Sequence, residues 1–385
     1  MMELDSAAPF DPTRAGEFFS TLPHAPAVVR IEPRAEFANM RPYLIRTADL
    51  RRRMERLLGD RDPADLAAAR RLDLRSYASG VRYRTAGSVF ELAYVHWQQA
   101  RLLDPVGYRE RLHMRAPALL KLNTSNAYPR CYVTRHIRAN DARRPSAGFY
   151  FGPFSSRRAA DAFASKFLDL FKIRRCQIKI RRDPAFPGCI YSEMKMCLAP
   201  CFAGCSTEEY ASEVSRVEAF LMSGGNSLQM ELESEREAAS IGLDFERAAA
   251  VHRRFEKVAE VLKGAPELVR PIENLDAVIM QRAAQPEAVT VFIVRGGWIT
   301  EPFLLRFEQT AEPLSAEEIL RDRLGRSPEN EPTAMAHTSE PLADHLALLA
   351  LWFYSKPRTG EIFFREKDWP YRRLIRACAR LLAAS

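Results

Sequence analysis

The stretch from Gly148 to Cys205 reads GFYFGPFSSRRAADAFASKFLDLFKIRRCQIKIRRDPAFPGCIYSEMKMCLAPCFAGC, and the rest of the chain is organised around it. It holds five of the seven cysteines. Four of these, Cys176, Cys189, Cys197 and Cys201, follow the spacing C-x12-C-x7-C-x3-C. Thiols this dense and unevenly spaced, in a chain whose start (MMELDSAAPF) is no secretory signal, point to metal or iron–sulfur ligation rather than to disulfides. Cys197 and Cys201 lie one helical turn apart, so one ion can take both. Cys176 and Cys189 need a loop that folds back, and Pro184, Pro187 and Gly188 supply one. The alternative is a set of buried, inert thiols. Four thiolates by themselves do not separate Zn from an Fe–S cluster, because both accept four-cysteine ligation.

With 385 residues the chain has room for two to four domains. A 47% hydrophobic content supports real cores, while 28% charged residues and the absence of any long apolar window argue against a membrane protein. A cytoplasmic protein with reduced thiols is expected. The net charge of +8 is clustered. Arg51, Arg52, Arg53 and Arg56 sit together, as do Arg174, Arg175, Lys179, Arg181 and Arg182, and Arg143, Arg144, Arg157 and Arg158 flank YFGPF. Any one run can be a solvated face, but several around one cysteine cluster favour phosphate contact. Arg46, Arg51, Arg52, Arg53, Arg157 and Arg158 are the DNA-binding candidates.

The Tyr150–Phe154 motif YFGPF, the helix behind it, the cysteine spacing and the run Met196-Cys197-Leu198-Ala199-Pro200-Cys201 resemble the cysteine region of the UvrC family, the excinucleases of bacterial nucleotide excision repair. That resemblance implies a [4Fe–4S] cluster on the four cysteines, with Zn as the alternative, and leaves Cys205 outside the quartet.

Upstream, strands at Ala27–Ile31 and Tyr43–Ile45, a helix from Leu50 to Leu58 capped by Asp49, a short helix over 65–72, a strand at Val81–Tyr83 and a buried helix from Val89 to Leu103 are expected. This order resembles the GIY-YIG nuclease domain that opens UvrC proteins. The resemblance puts Ala27-Val28-Val29 at the first motif, with Val29 where the family has tyrosine. It puts Tyr43-Leu44-Ile45 at the second, Arg46 at a lysine, Arg53 at the essential arginine and His96 at the metal-binding glutamate. Tyr43 and Arg53 are then the remnant catalytic residues. Mg²⁺ is left without its carboxylate, because a hard cation wants oxygen ligands and neutral imidazole is a poor substitute.

Downstream, 207–264 reads as three helices: Glu208–Met222, Leu228–Ile241 and one opened by Asp244. Phe245-Glu246-Arg247-Ala248-Ala249 resembles the UVR motif with which UvrC binds UvrB, implying a partner face of Phe245, Ala248, Ala249 and His252. Residues 265–385 read as a hairpin around Gly296-Gly297, a polar loop over 327–341, two helices and a last strand, without a recognisable set of RNase H-like acids.

The expected architecture is a multidomain α/β (α+β) chain. It divides into a lead-in over 1–20, a degenerate GIY-YIG-like domain over 21–115, the YFGPF and cysteine region over 116–206, a helical UVR-like domain over 207–264 and a small α+β domain over 265–385. The expected function is DNA and UvrB binding in excision repair without incision. An active structure-specific endonuclease using Tyr43 and Arg53, or a metal-stabilised structural or regulatory protein, are the alternatives.

Overall fold

The computed structural model describes residues 2–60, 73–137, 148–307, 315–326 and 342–383. The helix expected over 65–72, Arg143, Arg144 and the loop over 327–341 lie outside the described residues. No helix among those described is long and apolar enough to cross a membrane.

The N-terminal unit is an antiparallel sheet of β1 (Ser6–Pro9), β2 (Ala27–Pro33), β3 (Tyr43–Thr47) and β4 (Ala78–Thr85), in the order β1-β4-β2-β3. The expected loose lead-in is therefore structured. Ser6–Pro9 pairs along β4, and Phe10 and Phe18 enter the core beneath the sheet, so backbone pairing and apolar burial both hold this segment down. In the Leu50–Leu58 helix Asp49 accepts the Arg52 N–H at 3.0 Å, and Leu50, Met54 and Leu58 form a buried stripe against Val29 and Ile31. Of the arginines on this helix, Arg52 and Arg56 are exposed, whereas Arg51 and Arg53 are half-buried.

Alternation sorts the two faces of this sheet. Val29, Ile45 and Tyr83 face the Leu50–Leu58 helix, whereas Val28 and Leu44 pack with the Val89–Leu103 helix. That second helix starts at Ser88, which accepts the Glu91 N–H at 3.1 Å, and it buries Phe90, Tyr94, Val95, Trp97 and Ala100. A helix buried on most of its surface needs partners on several sides. Here they are β2 and β3 on one side and the C-terminal unit on another.

The middle sheet is β5 (Ala118–Asn123), β6 (Arg130–Thr134), β7 (Phe149–Phe154) and β8 (Arg270–Pro271), ordered β6-β5-β7-β8. The Gly152-Pro153 pair reads as a turn, but the strand runs straight through it. The β5 register shifts between Ala118 and Leu120 opposite this point, which accommodates a proline that cannot donate to the ladder. Gly148 at the strand's start has φ 98°, and a Cβ there would sit 1.9 Å from the Leu122 carbonyl, so only glycine fits. Ser156 caps the Arg157–Leu168 helix, whose Phe163 and Phe167 stack at 5.8 Å in the middle core.

The helices Thr207–Met222, Asn226–Ile241 and Phe245–Lys263 follow, the last two packed as a hairpin. The C-terminal sheet consists of β9 (Ala277–Arg282), β10 (Ala288–Arg295), β11 (Trp298–Ile299), β12 (Phe303–Arg306) and β13 (Glu361–Phe364), with β10 and β9 at its centre. One face carries the Ala316–Gly325 and Tyr371–Ala383 helices, and the other meets Leu342–Phe353 and Val89–Leu103. The mixed, multidomain α+β class expected from sequence is what the chain adopts.

Candidate functional site

The cysteine loop leaves the Arg157–Leu168 helix and returns at Ser206, with little regular structure apart from short helical turns at Ile190–Glu193 and Pro200–Phe202. It is held to its frame by hydrogen bonds across long sequence separations. The Arg174 N–H donates to the Tyr210 hydroxyl at 3.0 Å, and that hydroxyl donates to the Pro129 carbonyl at 2.8 Å. Lys172 N–H donates to Glu213 at 2.6 Å, and Leu198 N–H donates to the Lys172 carbonyl at 2.9 Å. Arg174 is buried and donates to the Tyr128 and Ile178 carbonyls. Arg175 likewise bonds the Leu168 carbonyl and Asp169. Two of the five basic residues in this run thus hold the fold, and Lys179, Arg181 and Arg182 remain on the surface. Tyr210 and Glu213 carry no motif of their own, and their partners lie 36 and 41 residues away, so no local pattern marks them.

The loop brings Cys176, Cys189, Cys197 and Cys201 into one neighbourhood. Burial pushes the Cys197 thiol up to about 11; the Ala199 N–H donated to its sulfur opposes this, and Cys176, Cys201 and Cys189 add to the rise. Burial raises Cys201 too, with Cys189 and Cys176 contributing. Mutual repulsion of this kind needs nearby sulfurs. Yet among the described residues no group of three or more His, Cys, Asp or Glu side chains is arranged to hold a metal ion. The donor set still suits four-thiolate ligation, and the 3.3 Å N–H···S contact at Cys197 is the kind that supports an anionic sulfur. Cys205 instead packs into the middle core with Tyr210 and Val214.

The nuclease-like positions fall on both faces of the N-terminal sheet. Tyr43 lies opposite Ile31, and Val29 opposite Ile45, on the face of the Leu50–Leu58 helix and Arg53. Arg46 lies opposite Val28 on the other face, towards His96. Burial and the Arg46 charge hold the His96 imidazole down to about 4, so it is neutral at physiological pH. Glu91, the nearest acid on that helix, is 3% exposed and accepts the Gly87 N–H at 3.0 Å. Burial raises its pKa. Tyr43 is 38% exposed. The Arg53 Nε is buried with no hydrogen-bond partner among the described residues. Arg51 is committed to the Leu22 and Ser20 carbonyls at 2.7 Å each. Arg46, Arg52, Arg157 and Arg158 are exposed, Arg157 lying 3.5 Å from Asp161.

At the hairpin tip Asp244 accepts the Arg247 N–H at 3.0 Å. Ile241, Leu243 and Phe245 are 78%, 72% and 70% exposed, an apolar cap that nothing else in the chain covers among the described residues. Ala248 is half-buried, while Ala249 and His252 are exposed.

Residues 118–220 match the family model of the UvrC/Cho excinuclease middle domain. The UvrABC system protein C of Moorella thermoacetica is 29% identical over 252 residues, covering 64% of this chain and 39% of that protein. Its counterpart in Methanothermobacter thermautotrophicus is 31% identical over 185 residues, covering 48% and 30%. That of Nitratidesulfovibrio vulgaris is 34% identical over 183 residues, covering 46% and 25%. The chain thus spans between a quarter and two fifths of the length of these relatives. No solved structure gives a significant match. The matched segment contains β5, β6 and β7 of the middle sheet, the helix behind YFGPF, all four cysteines of the quartet and the Tyr210 that anchors their loop, and over that segment the chain is similar to the middle domain of the UvrC family.

Proposed function

We propose that this chain acts in nucleotide excision repair as a UvrC-like protein that binds DNA and a UvrB-like partner without incising DNA itself. The observation that carries the non-incising reading is the His96–Arg46 pair. A neutral imidazole beside a guanidinium stands where the resemblance places a metal-binding carboxylate, and a cation there would be repelled by the arginine and offered no oxygen. Glu91 does not replace it, because its buried carboxylate is spent on Gly87 at the helix start.

DNA binding would rest on exposed Arg46, Arg52, Arg157 and Arg158, with the half-buried Arg53 beside Arg52 on the same helix. The apolar cap of Ile241, Leu243 and Phe245 suits docking of a helical partner, with Ala249 and His252 beside it. Cys176, Cys189, Cys197 and Cys201 would hold a [4Fe–4S] cluster, Zn being the alternative. Such a cluster would act as a staple that closes the loop on the helical frame.

The test is an incision assay. The protein is incubated with UvrA, UvrB, a lesion-bearing duplex and Mg²⁺ or Mn²⁺. Binding without nicking is expected. Incision that survives His96→Ala but disappears with Arg53→Ala would overturn the reading in favour of an active endonuclease built on Tyr43 and Arg53. DNA binding insensitive to salt would favour a purely structural role.

A further inference from the structure

The Tyr371–Ala383 helix carries four arginines and no acid. Leu374, Ala377 and Cys378 face the C-terminal core, which leaves Arg372, Arg373, Arg376 and Arg380 on the exposed side. Arg380 is bound to Glu361 at 2.8 Å, and Arg373 lies over the Phe363 ring at 5.3 Å. Arg372 and Arg376 have no acidic partner among the described residues. They stand one turn apart, about 6 Å along the axis.

The neighbouring Ala316–Gly325 helix on the same sheet face is built differently. Its Glu317 pairs with Arg321 at 2.7 Å, and Asp322 pairs with Arg326. An exposed helix in this unit therefore does not need an unbalanced surplus of arginine. Nor does the arginine face resemble a protein-docking patch. None of the large apolar side chains exposed among the described residues falls in 371–383, whereas protein interfaces bury an apolar centre. A face of guanidinia with no exposed large apolar side chain among them suits a ligand recognised by charge alone.

We propose that Arg372, Arg373 and Arg376 form a second phosphate-contacting surface, which binds the DNA backbone without reading its sequence. This rests on the DNA-binding reading above and gives the C-terminal unit a part in it. Backbone contacts position a duplex and carry no sequence information. Binding through this face is therefore equal for unrelated sequences.

The experiment measures duplex affinity against salt for the full chain and for the triple variant Arg372→Gln, Arg373→Gln, Arg376→Gln. Loss of three contacts lowers the slope of log affinity against log salt by about 2 to 3. The corresponding triple Lys variant keeps the charge and restores the slope, which a structural role of the guanidinia would not allow. Wild-type protein that fails to bind duplex overturns the functional reading and this one with it. Wild-type binding with an unchanged slope in the Gln variant overturns this proposal alone. Poly-glutamate competing as well as DNA at matched charge assigns the face to an acidic protein surface and also overturns it.

Discussion

The His96 environment predicts a specific dependence of stability on pH. An unfolded histidine titrates near 6.5, and in the folded chain burial and Arg46 hold His96 down to about 4. Between these values the unfolded state binds the proton and the folded state does not, so stability is fully present above about 6.5 and falls as pH drops towards 4. The whole shift corresponds to about 3 kcal/mol, and linkage puts about 2 kcal/mol of the loss between pH 7 and pH 5. His96→Gln removes this titration while keeping a neutral polar side chain. Urea unfolding of both proteins at pH 7 and pH 5, followed by tryptophan fluorescence, reads the difference directly, because Trp97 and Trp352 lie in the same core as the helix that carries His96. The variant should lose about 2 kcal/mol less than wild type between the two pH values. Equal losses would refute the claim that this imidazole is held neutral, and with it the argument that the position repels a cation.

Two further outcomes bear on the function. Protein purified without air should be brown with about four iron atoms per chain, and Cys189→Ser or Cys197→Ser should lose colour and solubility; stoichiometric zinc without iron would remove the cluster from the reading. Phe245→Ala should abolish capture of UvrB while changing stability by less than about 0.5 kcal/mol, since the ring is mostly exposed, and a variant that still captures UvrB would place the partner surface elsewhere.

How much of this is legible in the sequence depends on the range of the interactions involved. Asp49 and Asp244 as caps, the Leu50–Leu58 stripe and the hairpin turn at Gly296-Gly297 are readable because each rests on residues within one or two turns of one another. β1 escapes a local reading because Ser6–Pro9 is a strand only by virtue of β4, more than seventy residues away. β9 escapes it for a related reason. Its AVIMQR run is short and buried almost throughout, so it shows no alternation. Charge runs are the least transparent signal. Arg174 and Arg51 look like surface cations and in fact close carbonyls of the fold, while the arginine face at 371–383 reads only as part of a helix. Of the candidate site, spacing alone marks the four cysteines as a group. It does not show that their loop is stitched to Tyr210 and Glu213, because those bonds depend on where the helical frame sits.

The Val89–Leu103 helix ties the N-terminal unit to the rest of the chain. Phe90, Tyr94 and Trp97 pack in one core with Phe292 and Trp352 of the C-terminal unit, with ring centroids between 4.9 and 5.7 Å for Phe90–Phe292, Phe90–Trp352, Tyr94–Trp97 and Tyr94–Phe292. Asp344, 3% exposed, accepts from Trp97 at 3.2 Å and from Arg109 at 2.9 Å, and Tyr108 also donates to it. A buried carboxylate satisfied by three donors becomes costly when those donors are removed, by about 3 to 5 kcal/mol where a charge is left unpaired. The same core takes Val28 from the N-terminal sheet and Leu119 and Tyr150 from the middle sheet. Stripping away the N-terminal unit would therefore orphan Asp344 and open one core shared by all three sheets. The helix that carries His96 is held in place by its aromatic side chains and by Asp344.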